Sequence, residues 1–515
     1  MAKRKKIKKQ ISFHPVVVFI IIALAVVILS SILKLFDFSA TYNVLVANTK
    51  DFISKTESVT SLLNLRGIKY IFSNTVSNFA NYVVLSNLLI VLIGIGVMEY
   101  SGFLRTAIGL LTKRASKFVI TYTIVLICLL SSVMDFLPFL AFIPLAGLIY
   151  KYGKRNPNLG IIVSYASLTC GYGLSFLFTS IDSSLAKISI AGAGILDESY
   201  VFKSSSLVFI MTIAIIIISI IITFITENHI APKLPKYEFD ENEVFDDNIL
   251  DKLELRGLVL AGLGSAIYLI LFIYNIIPGL PLSGNFLNYS QSFYIDKLFG
   301  EGSFFASGFV FIITMLFIIW GLLYGIGAKT IKNNKDFVDS LGYSLNGIGK
   351  TVVYIFVGSV LISVFKQTNI GNVIVAGFTT FITNSKFSGL PLCLLLFVFS
   401  AIATLFVPNS ITKWTIMSSG VIPTFLNAGL SAEFAQVIFR FGETSVIGLT
   451  PLFAYFIVYL AFLEKYKQGD QNLSLLQSFK YQLPYSLSTM GVLLLLIVIW
   501  YLISLPLGIG GYVSI

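Results

Sequence analysis

Apolar runs of about twenty residues, nearly free of charge, recur along the whole 515-residue chain and leave it one solvent, the hydrocarbon of a membrane. Nine such runs are clear, at 16–36, 82–100, 158–179, 205–226, 256–276, 304–326, 344–365, 444–463 and 486–505. Shorter or interrupted apolar stretches lie at 118–150 and 370–440. With 56% of residues hydrophobic, 12% charged and a mean hydropathy of +0.88, soluble, fibrous and disordered classes are excluded. The net charge of +11 sits in short clusters between the runs, a topology signal, so no nucleic-acid partner is expected. Cys128, Cys170 and Cys393 stand singly in apolar surroundings and read as small core residues. Only His14 and His229 occur, both at membrane boundaries, so neither a cofactor nor a histidine-based catalytic centre is expected.

The basic stretch from Lys3 to Lys9 precedes the first run and predicts a cytoplasmic N-terminus. A cleaved signal peptide is rejected, because the run is too long and no small-residue cleavage site follows cleanly. Lys113, Arg114 and Lys117 then want the same side as Lys151, Lys154 and Arg155. The 118–150 segment must therefore enter the membrane and return, with its break at Met134-Asp135-Phe136-Leu137-Pro138. Two half-length helices meeting at a re-entrant tip satisfy this, and two tight ordinary spans are the alternative. A second hairpin is expected near 388–430, where Pro408-Asn409-Ser410-Ile411-Thr412-Lys413-Trp414 interrupts the apolar pattern. Broken-helix devices in both halves point to a transporter of inverted repeats, all-α and polytopic, with about nine transmembrane helices plus two re-entrant hairpins. The halves are expected at 1–226 and 256–515, joined by a cytoplasmic acidic linker at 227–255. The mixed segment 37–81 is expected to be an external connection.

Ionisable groups at membrane depth are costly and therefore suspects for function. Asp135 marks the first tip, Asp182 and Lys187 follow an apolar run, Lys413 lies in the second hairpin, and Arg440 and Glu443 share one helical stretch. Glu99, near a span end, is expected to snorkel. Arg440 and Glu443 are three apart and can pair on one helix face, either as a structural bridge or as a coupling element. Gly442, Gly448 and Pro451 predict a broken helix beside them, and protonation of Glu443 would loosen its hold on Arg440. Trp414 offers a face for stacking an aromatic ring or cation, or is an interfacial tryptophan; with Asn409, Ser410 and Thr412 it is expected to line the site. Asp182, amid Thr179, Ser180, Ser183 and Ser184, suits Na⁺ or H⁺, or caps a helix.

The run Asn409-Ser410-Ile411-Thr412-Lys413-Trp414, followed by Phe439-Arg440-Phe441-Gly442-Glu443-Thr444-Ser445, Leu449-Thr450-Pro451-Leu452, Leu483-Pro484-Tyr485-Ser486 and Leu505-Pro506-Leu507-Gly508, resembles the AbgT family of p-aminobenzoyl-glutamate transporters. Gly94-Ile95-Gly96-Val97-Met98-Glu99-Tyr100-Ser101-Gly102, Ile143-Pro144-Leu145, Glu254-Leu255-Arg256-Gly257 and Tyr324-Gly325-Ile326-Gly327 extend the likeness over essentially the whole chain. The resemblance implies a homodimer in the bacterial cytoplasmic membrane and secondary transport of p-aminobenzoyl-glutamate, or efflux of p-aminobenzoate-like drugs such as sulfonamides. It places functional weight on Trp414, Arg440, Glu443, Pro451 and Asp182. Glu443 stands where the family has Asp, Ile411 where it has a second Ser, and Ala432 where it has Pro. Asp135 replaces an Asn/Ser-rich tip.

The expected function is secondary transport of a small aromatic carboxylate driven by H⁺ or Na⁺. A dicarboxylate or short-chain fatty acid carrier is the alternative, and an intramembrane enzyme or channel is disfavoured because neither a nucleophile–base motif nor a continuous polar pore is evident.

Overall fold

A computed structural model describes residues 13–45, 52–113, 115–194, 196–239, 250–300, 302–468 and 474–515. The basic cluster at 3–9, Arg114 and the acidic run from Asp240 to Asp247 lie outside the described residues. The first helix, α1 (Pro15–Leu35), starts at His14, whose ring nitrogen accepts from the Val16 N–H, with proline in the first position. The segment expected to be a plain connection carries its own structure. Strands β1 (Ser39–Leu45) and β2 (Phe52–Ser58) pair antiparallel, from Ser39 opposite Ser58 to Leu45 opposite Phe52, and α2 (Leu65–Ala80) follows. The all-α expectation is thus met except for this one β-ladder. Next come α3 (Val83–Tyr100) and the short amphipathic α4 (Phe103–Lys113).

The first hairpin is α5 (Lys117–Leu130) and α6 (Leu137–Tyr152). At 1.5 Å per residue these arms reach about 21 and 24 Å, and the 3₁₀ turn that follows α5 lengthens the first of them. Between them a 3₁₀ turn, Ser131–Met134, ends at Asp135, whose φ of 53° turns the chain, and Pro138 restarts the helix from its first turn. The expected continuous span at 158–179 is not continuous. It divides into α7 (Pro157–Gly171) and α8 (Ser180–Ala193), because Thr179 caps α8 in a reciprocal capping box with Asp182. Then follow α9 (Val208–Ile225), α10 (Lys252–Ile276), the single-turn α11 (Tyr294–Phe299), α12 (Phe304–Ala328), α13 (Asn334–Gly342), α14 (Gly349–Thr368) and α15 (Ile370–Asn384).

The second hairpin is α16 (Gly389–Phe406) and α17 (Ser410–Asn427). Pro408 cannot continue α16, and the Asn409 side chain accepts from the Thr412 N–H at 2.8 Å to start α17. The apolar run at 444–463 is likewise divided, into α18 (Ala432–Val446) and α19 (Ala454–Lys465), with Pro451 in the unwound turn; α20 (Leu475–Ile503) closes the helical order. Gly442, expected to help break this helix, lies inside α18. Among the described residues ten helical stretches are long and apolar enough to span a membrane, and they include Lys117–Met134 and Gly389–Phe406, the first arms of the two hairpins.

One order of elements therefore occurs twice: long helix, amphipathic helix, hairpin, divided helix, long helix. It runs α3 to α9 and again α14 to α20. The parts interlock crosswise, α17 packing on α8, α6 on α19, and α7 crossing α18. Around them α3, α12 and α10 form a tight layer, where a Cβ on Gly321 would lie 2.5 Å from the Val97 carbonyl carbon and one on Gly327 only 2.6 Å from the Gly257 Cα.

Candidate functional site

The two divided helices and the second hairpin bring six charged or hydroxyl side chains together at a buried point. Arg440, on α18, is 0% exposed. Its Nη1 donates to Glu443 at 3.0 Å, one turn away, and to the Ser410 hydroxyl at 3.2 Å; its Nη2 donates to the Tyr172 carbonyl at 2.9 Å. Its Nε lies 3.1 Å from the Asp182 carboxylate, an ion contact rather than an aligned hydrogen bond. The guanidinium also sits 4.9 Å over the Tyr172 ring. Lys413 places its ammonium 2.7 Å from the second oxygen of Glu443 and donates to Thr404 on α16. Two cations thus face two carboxylates, a balance that buried charges require.

The contacts that reach Arg440 from the N-terminal half exist because a helix is interrupted. Tyr172 offers its carbonyl because α7 has ended one residue before, freeing backbone acceptors at membrane depth. Asp182 is aimed by its capping role: one oxygen accepts from the Thr179 N–H and hydroxyl, leaving the other for Arg440. Gly173 lets the chain pass against α18, where its N–H donates to Thr444 at 2.6 Å and a Cβ would lie 2.2 Å from that hydroxyl.

Of the residues singled out from the sequence, Arg440, Glu443, Lys413, Ser410 and Asp182 meet in this network. Asp135 stands nearby at the first tip, with Asp182 and Arg440 as its electrostatic neighbours and one carboxyl oxygen, Oδ1, buried without a hydrogen-bond partner. Trp414 differs from its expected lining role: it is wholly buried, its indole N–H donates to Ser189 at 2.9 Å, and Phe439 covers it at 4.5 Å. The Asp182 carboxylate is engaged by Thr179 and Arg440, which includes the helix-capping alternative read from the sequence. Glu99 is partly buried and accepts from Ser344 at 2.9 Å. Lys187 leans, more than half exposed, on Asp296 of α11 at 3.4 Å. Tyr172 and Thr404 were not foreseen. For Tyr172 a signal existed, since Gly171 and Gly173 bracket it inside an otherwise apolar run.

Asn409 and Thr412 face away from the ions, into a cavity of about 390 Å³. Its walls are the two hairpin tips, the turn after Pro451 and the junction of α14 with α15. Phe136 and Phe453 stand between cavity and ions: Phe136 stacks on Tyr455 at 5.6 Å on the cavity side and on Tyr172 at 4.9 Å on the other, and Phe453, which also lines the cavity, meets Tyr172 at 6.4 Å.

The family model described as the AbgT putative transporter family matches residues 7–515. The chain is 25% identical over 499 residues to the p-aminobenzoyl-glutamate transport protein of Escherichia coli (strain K12), covering 97% of this chain and 94% of that one. Among solved structures, the YdaH transporter of Alcanivorax borkumensis is 24% identical with a TM-score of 0.47, covering 96% of this chain and all of that one. MtrF of Neisseria gonorrhoeae, described as illuminating a class of antimetabolite efflux pumps, is 25% identical with a TM-score of 0.48, over 96% of each chain.

Proposed function

Because the chain belongs to the AbgT putative transporter family, we propose that this membrane-embedded transporter is a secondary carrier of p-aminobenzoyl-glutamate or a related aromatic carboxylate, coupled to protons. The observation that carries this reading is the buried network in which Arg440 and Lys413 are balanced by Glu443 and Asp182. An incoming carboxylate needs the Arg440 guanidinium, and Arg440 is occupied. A proton on Glu443 or Asp182 releases one of its partners, so substrate and proton stabilise the same state of the site. Protons are favoured over Na⁺ because a metal ion at Asp182 would have to displace Arg440, whereas Asp135 keeps a buried oxygen free to take part in proton exchange. The aromatic walls of the neighbouring cavity favour an aromatic substrate over a dicarboxylate or a short-chain fatty acid.

In this reading the two hairpins enter from opposite faces, the N-terminus is cytoplasmic, and the inverted repeats lie within the halves 1–226 and 256–515, which the 227–255 linker joins. A homodimer in the bacterial cytoplasmic membrane completes the proposal; export of sulfonamide-like antimetabolites would instead require proton and substrate to exclude one another at Arg440, an exchange rather than this cotransport. Uptake of radiolabelled p-aminobenzoyl-glutamate into proteoliposomes under separate pH and Na⁺ gradients tests it. Accumulation under the pH gradient, with counterflow in its absence, is the expected result; accumulation under Na⁺ alone overturns proton coupling, and flux without counterflow overturns the carrier.

A further inference from the structure

The cavity beside the network has the chemistry of a binding site in its own right. At about 390 Å³ it falls within the range of small-molecule pockets. Phe136, Phe365, Phe453 and Tyr455 supply rings, and Lys366, in the last turn of α14, is the single charged side chain among the lining residues. Asn409 and Thr412, at the second tip, add polar groups. Rings on several sides and one cation at the edge fit a flat aromatic anion better than an acyl chain or a sugar.

The rim is electrostatically prepared. Asn369, which follows Lys366 by three residues, donates to Glu57 of β2 at 2.9 Å, and Glu57 is also paired with Lys55 at 2.9 Å. Burial pushes the Glu57 carboxyl up, but the bonds from Asn369 and Lys55 outweigh this and hold it below its ordinary value. It is therefore an anion already neutralised, and Lys366 remains the cation available to a guest at this edge. The inner wall is equally particular. Phe136 and Phe453 separate the cavity from Tyr172, and Tyr172 lies directly on Arg440, so displacement of these two rings would join the two compartments.

We propose that this cavity is an outer binding site for an aromatic carboxylate, ring on Tyr455 and Phe136 and carboxylate toward Lys366, occupied before the substrate passes Phe136 to reach Arg440. The inference rests on the carrier reading above and adds a second station to it. The two stations share one chemistry, an aromatic face plus a cation, so the substrate exchanges like for like as it moves.

The test is equilibrium binding of 4-aminobenzoate and of uncharged 4-aminobenzamide to the purified full-length protein, by isothermal titration in detergent. Lys366→Gln, a change at an exposed position, is expected to weaken 4-aminobenzoate about tenfold and leave the amide unchanged. Asn372→Phe, which fills the cavity from α15, is expected to abolish binding of both while the protein remains folded by thermal melting. If both variants bind 4-aminobenzoate as the parent does, the outer site is wrong, though the carrier reading stands. If the parent binds the acid and the amide equally, the cavity is a nonspecific apolar space and the proposal also fails. If the parent binds neither, while transporting an unrelated substrate, it is the carrier's aromatic specificity that falls.

Discussion

Glu443 holds two cations with its two oxygens, Lys413 at 2.7 Å and Arg440 at 3.0 Å, and all three side chains are sealed from solvent. Removing only the acid leaves two buried positive charges against Asp182 alone. Glu443→Gln is therefore expected to destabilise the protein by about 3–5 kcal/mol, the usual result of breaking a buried pair from one side. The double variant Glu443→Gln/Lys413→Met restores the charge balance and should regain most of that loss, which thermal melts in detergent would read. A double variant no more stable than the single one would show that the lysine is not a charge partner. At this scale the sequence was informative: the three-residue spacing of Arg440 and Glu443 predicts their pairing. It could not reveal that Asp182 and Tyr172, more than 250 residues earlier, complete the shell, because nothing local records a contact made by tertiary packing.

The divided helices are what allow the elements to meet. Gly173 lies where the break after α7 crosses α18, and a single Cβ there would collide with Thr444 at 2.2 Å and the Arg440 carbonyl at 2.7 Å. Gly173→Ala is expected to slow substrate exchange at least tenfold and to lower the melting temperature. Gly262→Ala, on α10, meets open space and should be neutral or stabilising by up to about 1 kcal/mol, as alanine replaces glycine in a helix. Equal effects of the two would argue against a tight crossing. Hairpins were legible here because like-signed basic clusters flank the first and a Pro-Asn pair breaks the second. The α7–α8 division was not, since no proline marks it and Phe176, Leu177 and Phe178 keep the averaged hydropathy high through the unwound turn. The β-ladder was missed because only one strand carries the signal: Ala40, Tyr42 and Val44 alternate with Ser39, Thr41 and Asn43 in β1, whereas β2 turns polar after Phe52 and Ile53.

For the whole molecule, the proposed arrangement has hairpins entering from opposite faces. Cys128, Cys170 and Cys393 are buried, so an introduced thiol can report its own side of the membrane. Lys386→Cys, in the connection between α15 and α16, is expected to react with an impermeant maleimide from outside intact cells. Lys117→Cys, at the start of α5, should react only after permeabilisation. Labelling of both from one side would remove the inverted geometry. The repeated order of elements was foreseeable from two hairpins alone, whereas their crosswise packing depends on which faces the helices bury.

The central claim is that a proton entering the Arg440–Glu443–Lys413–Asp182 network is exchanged for hold on a substrate carboxylate. Its most direct test is flux of p-aminobenzoyl-glutamate through proteoliposomes of the parent protein and of Glu443→Gln, with and without an imposed pH gradient. The parent should accumulate substrate under the gradient, whereas Glu443→Gln, still able to exchange internal for external substrate, should no longer respond to it. Gradient-driven accumulation undiminished in Glu443→Gln would contradict the account.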